Sequence, residues 1–168
     1  MFCLRDYRLP DFEHLYRLDQ QCFPPGIAYS RAELSSYVAR KGSFTIVAEF
    51  VADETSSGEG SPAAAAKPPE AKPAIAGFIT VEMHPKGYGH IITIDTRAEF
   101  RRQHLGSMLI EAAEKHVSDL GGFMTILEVA VNNAAAIAFY KRHRYVTVKT
   151  LPRYYNGELD ALLLSRRL

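Results

Sequence analysis

Cysteine is scarce and tryptophan is absent: the 168 residues hold two cysteines and no tryptophan. Cys3 and Cys22 stand far apart, with no CxxC pair and no His/Cys grouping at zinc spacing. A disulfide framework or zinc-ribbon design is therefore excluded, and two isolated thiols suit a reducing compartment. Both read as inert small hydrophobes. The six histidines show no ligand spacing either, so no metal is assigned. Long hydrophobic runs are missing: nothing approaches the roughly 20 apolar residues of a membrane span. The opening Met-Phe-Cys-Leu-Arg-Asp-Tyr-Arg lacks the basic-then-apolar order of a secretory signal. The expectation is a cytoplasmic protein without a membrane partner. Excess charge is also lacking, at +1 overall, which argues against a nucleic-acid binder that works by neutralising many phosphates.

What remains is ordinary globular composition, 47% hydrophobic and 23% charged, at a length that one domain with a real core can fill. One segment departs from it. From Asp53 to Pro73 the chain is Ser, Gly, Pro, Ala, Glu and Lys without a large apolar residue, too little to offset ordering entropy. It reads as a mobile low-complexity loop, an insertion in a hairpin between the strand-like runs Ser43 to Ala52 and Ile75 to Met83. Residues 1–168 are thus read as one domain.

Elsewhere helical and strand-like patterns alternate. Pro10-Asp11 opens an amphipathic helix to about Gln21, with Asp11 as N-cap and Leu15 and Leu18 on one face. Ser30-Arg-Ala-Glu33 has the capping-box pattern and starts a second helix to about Arg40. Strands are expected at Phe44 to Val51, Ile75 to Met83, His90 to Thr96, Phe123 to Val131, Tyr145 to Thr150 and Leu159 to Ser165. Helices are expected from Leu105 to Leu120, stopped by Gly121-Gly122, and from Asn133 to Arg142. Helices between strands make the class α/β.

Two stretches could carry chemistry. Glu99-Phe-Arg-Arg-Gln-His-Leu-Gly-Ser107 joins a strand to a helix. Free amides and the positive end of the helix dipole make such a turn an anion site, with Arg101 and Arg102 adding charge. Spacing alone reads equally well as a basic surface turn. In Leu127-Glu-Val-Ala-Val-Asn-Asn-Ala-Ala-Ala-Ile-Ala-Phe-Tyr140, alternation puts Glu128 on one face with Met124, Ile126 and Ala130. That carboxylate is either a base in an apolar setting or a strand end reaching water. Asn133 suits an N-cap, and Ile137 and Tyr140 follow it on one helix face. By pattern alone a Tyr there packs more often than it reacts.

Together these stretches resemble the GNAT superfamily of N-acetyltransferases. Arg101-Arg-Gln-His104-Leu-Gly106 is similar to the family turn [QR]-x-x-G-x-[GA], with His104 at the first glycine position. The Leu127–Tyr140 stretch resembles the signature of the branch that acetylates protein N-termini, as in the bacterial ribosomal-protein alanine acetyltransferases. Cys22-Phe-Pro24, and Arg153-Tyr-Tyr155 followed by Asp160-Ala161, agree with that branch. The resemblance spans nearly the whole chain outside the loop.

It implies a mixed central sheet of about six or seven strands, splayed between the strands carrying Ile94 and Glu128, with helices on both faces. It implies direct acetyl transfer from acetyl-coenzyme A to an amine, foremost a protein or peptide N-terminal α-amine. A lysine or small-molecule amine, or a non-catalytic coenzyme A sensor, stands as the alternative. Glu128 would be the base and Tyr140 the acid for the departing thiolate. Ile94, Asp95 and Thr96 would hold the pantetheine arm through their backbone. Arg101, Arg102, Gln103, His104, Leu105, Gly106 and Ser107 would bind the pyrophosphate, and Asn133 and Tyr140 would also touch the cofactor. Phe23, Tyr29, Tyr154 and Tyr155 would line the acceptor side. His104 in place of glycine obliges the turn to accommodate a Cβ. Ala130 stands where close relatives often place arginine, which bears on peptide specificity.

Overall fold

The computed structural model describes residues 1–51 and 74–168; the loop expected from Asp53 to Pro73 lies outside the described residues. In chain order the elements are β1 (Phe2–Asp6), α1 (Phe12–Cys22), α2 (Arg31–Ala39), β2 (Ser43–Phe50), β3 (Ala74–His84) and β4 (Tyr88–Thr96), then α3 (Leu105–Asp119), β5 (Met124–Ala130), α4 (Ala134–Arg142), β6 (Val146–Tyr155) and β7 (Leu159–Arg167). Among the described residues, seven strands lie in one mixed sheet of order β1-β2-β3-β4-β5-β7-β6. Only β4 and β5 run parallel, and α3 is their crossover; the other neighbours are antiparallel.

Alternation along the strands sorts the core into two layers. Ile46, Ala48, Ile79, Val81, Leu127 and Val129 face α3 and α4, where Leu105, Leu109, Ile110, Ala113, Val117 and Tyr140 meet them. Val47 and Phe78 point the other way, against Leu15 and Leu18 of α1 and Leu34 of α2. Fully burying each such aliphatic or aromatic side chain contributes about 1.5–3 kcal/mol.

The ends of elements follow local chemistry. Ser30 accepts from the Glu33 amide while the Glu33 carboxylate takes the Ser30 amide at 2.8 Å, the capping box expected there. Asp11 behaves differently from its expected role. Its carboxylate makes no cap bond to α1; it accepts from the Arg8 amide at 2.7 Å and from the Arg5 guanidinium at 2.7 and 2.9 Å. A 3-10 turn at Leu9–Asp11 precedes α1 and takes that carboxylate first. The N-terminal strand β1 was not foreseen; it pairs with β2 from Phe2↔Phe50 to Asp6↔Ile46. Five residues at a sheet edge carry too little alternation to announce themselves. β6 outruns its expected end at Thr150 because an edge strand tolerates Pro152. Among the described residues, no helix is long and apolar enough to cross a membrane.

Candidate active site

β4 and β5 are paired only at Tyr88↔Met124, Gly89↔Thr125 and His90↔Ile126. Beyond that point each stays bonded to its outer neighbour, β4 to β3 as far as Thr96 and β5 to β7 as far as Ala130. The two strands therefore part in the middle of the sheet, as expected. A bulge contributes: Thr80 faces Thr93 and Val81 faces Ile91, leaving Ile92 without a partner and sharpening the twist. The opening belongs to a cleft of about 1160 Å³, walled by both strands, the start of α3, one face of α4, the α1–α2 loop and the β6–β7 turn.

On the α1–α2 side, Glu128 Oε2 lies 2.6 Å from His90 Nε2. An ionised carboxylate only accepts, so the imidazole Nε2–H donates. The carboxylate is half-buried, its side chain 16% exposed. His90 was missed in the sequence because nothing in linear spacing links it to Glu128; the parallel register of β4 and β5 does. Phe23, Tyr29 and Tyr155 line this end of the cleft. Tyr29 is fixed at three points: its amide donates to Asp19 Oδ2 at 2.8 Å, its carbonyl accepts from Gln20, and its hydroxyl donates to Ile92 O at 3.2 Å. Burial pushes the Tyr155 hydroxyl up to about 12, with the Tyr154 and Glu128 charges adding to it. Tyr154 is outside the cleft wall; it is exposed and meets Tyr155 edge-on, ring centres 5.0 Å apart.

Tyr140 approaches the gap from the α3–α4 side. Burial first, then the charges of Asp95 and Tyr155, push its hydroxyl well above the usual phenol range, so it stays protonated. Asn133 accepts from the Ala136 amide at 3.1 Å and caps α4, which aims Tyr140 inward two turns later.

The turn into α3 bends through Arg102 at φ 59° and His104 at φ 63°. Both are left-handed conformations in which a Cβ costs about 1–2 kcal/mol, so the glycine that the resembled turn carries at the His104 position has a steric reason. The first bond of α3 runs from the Met108 amide to His104 O. The preceding helical amides of Leu105, Gly106 and Ser107, all cleft-lining, are those a helix leaves unpaired. A Cβ on Gly106 would come within 3.3 Å of the Phe139 ring, so this glycine also lets α4 close on α3. Ser107 Oγ is 3.0 Å from His143 Nε2. Arg101 and Arg102 line the cleft, Arg101 also donating to Thr96 O at 3.3 Å. Gln103 does not; its amide turns back to Glu99 O.

Ile94 and Thr96 line the cleft, whereas the Asp95 side chain turns into the interior, fully buried. It accepts from Thr93 Oγ1 at 2.8 Å. Burial, then the charge of Asp19, raises its pKa well above the ordinary carboxylate value. Asp19 of α1 is equally buried and pushed by that burial to about 6. Each keeps one buried oxygen unpartnered, Asp19 Oδ1 and Asp95 Oδ2. Burial likewise pushes the Cys22 thiol up to about 11, against reactivity.

The model of the acetyltransferase (GNAT) family matches residues 12–145. An N-alpha-acetyltransferase of Saccharolobus solfataricus is 35% identical over 95 residues, 55% of this chain and 57% of that protein. The chain spans about half of the length of the curated relatives it matches. Among solved structures, Arabidopsis thaliana NAA60 in complex with acetyl-CoA superimposes with a TM-score of 0.76 at 20% identity, covering 100% of this chain and 99% of that one. The ribosomal-protein-S18-alanine N-acetyltransferase of Escherichia coli gives 0.74 at 19% identity, covering 99% and 94%. At such identities these two show the fold.

Proposed function

The chain belongs to the acetyltransferase (GNAT) family, and from that premise we propose that it transfers the acetyl group of acetyl-coenzyme A directly to the α-amine of a protein or peptide N-terminus. The observation that carries this reading is the parted β4–β5 pair, which joins a carboxylate–imidazole pair on one sheet face to a cationic, amide-rich turn on the other. An anionic donor and an amine acceptor can then approach from opposite faces and meet in the gap. The N-alpha-acetyltransferase relative supports the choice of amine.

The residues fit coenzyme A: the α3 amides and Arg101 and Arg102 suit its pyrophosphate, and the strand end at Ile94–Thr96 offers main-chain groups to the pantetheine arm. Bound acetyl-coenzyme A supplies the thioester acetyl group. Glu128 takes the proton of the attacking amine, and His90 is a positioning residue that holds the carboxylate through Nε2–H. An α-amine has a pKa of about 7.7–8.0, against 10.4 for lysine, so one modest base is enough at neutral pH. Tyr140, kept protonated by its burial, hands its proton to the departing thiolate. Phe23, Tyr29 and Tyr155 flank the acceptor's first residue, and Asn133 places α4 along the cofactor arm.

The test is thiol release from acetyl-coenzyme A against peptides with free N-termini, N-blocked lysine peptides and polyamines. Release that depends on a free N-terminus supports the reading. A preference for lysine peptides or polyamines would move the acceptor to those amines. Tight cofactor binding with no release would leave a sensor domain and overturn the reading.

A further inference from the structure

The Ser107–His143 contact is not absorbed by the turn motif or by the acid and base roles. Ser107 sits in the first turn of α3 and lines the cleft, whereas His143 ends α4. Their side chains meet at 3.0 Å. The His143 ring is wedged beside Phe139, centres 4.6 Å apart, and Phe139 in turn fills the space left by Gly106. His143 is thus braced on one side by Phe139, with its Nε2 against the Ser107 hydroxyl.

Burial lowers the His143 pKa; Arg142 on its own helix and Arg166 on β7 act the same way, against Glu111 of α3. The ring is thus neutral near pH 7, and its single proton can sit on either nitrogen. With the proton on Nδ1, Nε2 accepts the Ser107 hydroxyl proton and Ser107 shows only lone pairs to the cleft. With the proton on Nε2, the imidazole donates to Ser107 Oγ and the hydroxyl proton is free to point outward. Only the second arrangement suits an anion at the start of α3.

We propose that His143 is a positioning residue for the donor turn, holding Ser107 through Nε2–H so that the Ser107 hydroxyl donates to a pyrophosphate oxygen of coenzyme A. This rests on the proposed acetyl-coenzyme A site. In that arrangement the end of α4 supplies a fixed dipole to the phosphates through one intermediary.

The experiment is calorimetric titration of coenzyme A into wild type, S107A, H143A, H143Q and the double variant S107A/H143A. The single alanine variants are expected to bind about tenfold more weakly, as for loss of one hydrogen bond to a charged group. The double variant should be no weaker than S107A alone, since His143 acts only through Ser107. H143Q should recover most of the affinity, because its amide N–H can donate to Oγ. Dephospho-coenzyme A, which lacks the 3′-phosphate, should show the same losses. Nitrogen chemical shifts of His143 should report a protonated Nε2 in the complex. Additive losses, no rescue by H143Q, losses that vanish with dephospho-coenzyme A, or a bare Nε2 would each overturn the assignment. Wild type that fails to bind coenzyme A would overturn the acetyltransferase reading as well; wild type and H143A binding alike would overturn this inference alone.

Discussion

Replacing Glu128 with glutamine tests the proposed chemistry most directly, because the change removes charge and leaves shape. Gln Oε1 can still accept from His90 Nε2–H across the 2.6 Å contact, so no cavity opens and the parted strands keep their geometry. What is lost is a site for the proton of the bound amine. General-base catalysis contributes about 10²–10⁴ in rate, and the lower end applies where the acceptor is already partly neutral. Roughly a tenth of an α-amine is neutral at pH 7 and about nine-tenths at pH 9. The expected loss in kcat/KM is therefore about 10²-fold at pH 7, or about 3 kcal/mol of transition-state stabilisation, shrinking to about tenfold at pH 9. The assay is initial-rate thiol release with a free-N-terminus peptide across that range, beside calorimetry of acetyl-coenzyme A. Donor affinity should change little, since Glu128 and His90 share the acceptor-side face of the sheet. An equal loss at both ends of the pH range would show that the carboxylate does not carry the amine proton. Full activity in the variant would remove the base assignment altogether.

Tyr140→Phe should lower turnover by about 10–100-fold while the chain stays folded, because the hydroxyl is protonated and the ring carries the packing; wild-type rates would refute the acid role. His104→Gly should raise stability by about 0.5–1 kcal/mol, the relief of a left-handed φ of 63° less the entropy cost of glycine. Denaturant unfolding measures it, and a lower midpoint would mean that the imidazole makes contacts worth more than the strain. Asp19→Asn should flatten the acid limb of stability. Burial raises the folded-state pKa of Asp19 from 3.8 to about 6, so its favourable contribution is complete below 3.8 and is lost as pH rises through about 6. The variant should gain on wild type across that window in unfolding titrations, and a constant difference would refute the reasoning.

Several parts of the fold were legible because they depend on residues close in sequence. The capping box at Ser30–Glu33, the Asn133 cap with Tyr140 seven residues on, and the apolar spacing of α3 are all local patterns. The turn with its arginines was legible in the same way, down to the misfit of His104, whose left-handed backbone the structure then displayed. Asp11 misled because its nearest partner in sequence was not its partner in space: Arg5, on an unforeseen strand, claimed the carboxylate.

By itself the sequence determined most of the helices and strands, β1 excepted, and which segments carry the candidate base, acid and anion-binding turn. The tertiary structure alone decided how these meet. The pairing of β4 with β5 and its early end, the contacts His90–Glu128 and Ser107–His143, and the charge coupling of Asp19 to Asp95 join residues 36 to 76 positions apart, and the bulge at Ile92 depends on the register of β3 against β4. Periodicity records which face of an element is buried. It does not record which neighbour lies across that face, because strand order and register are set by the packing of the whole sheet against its helices.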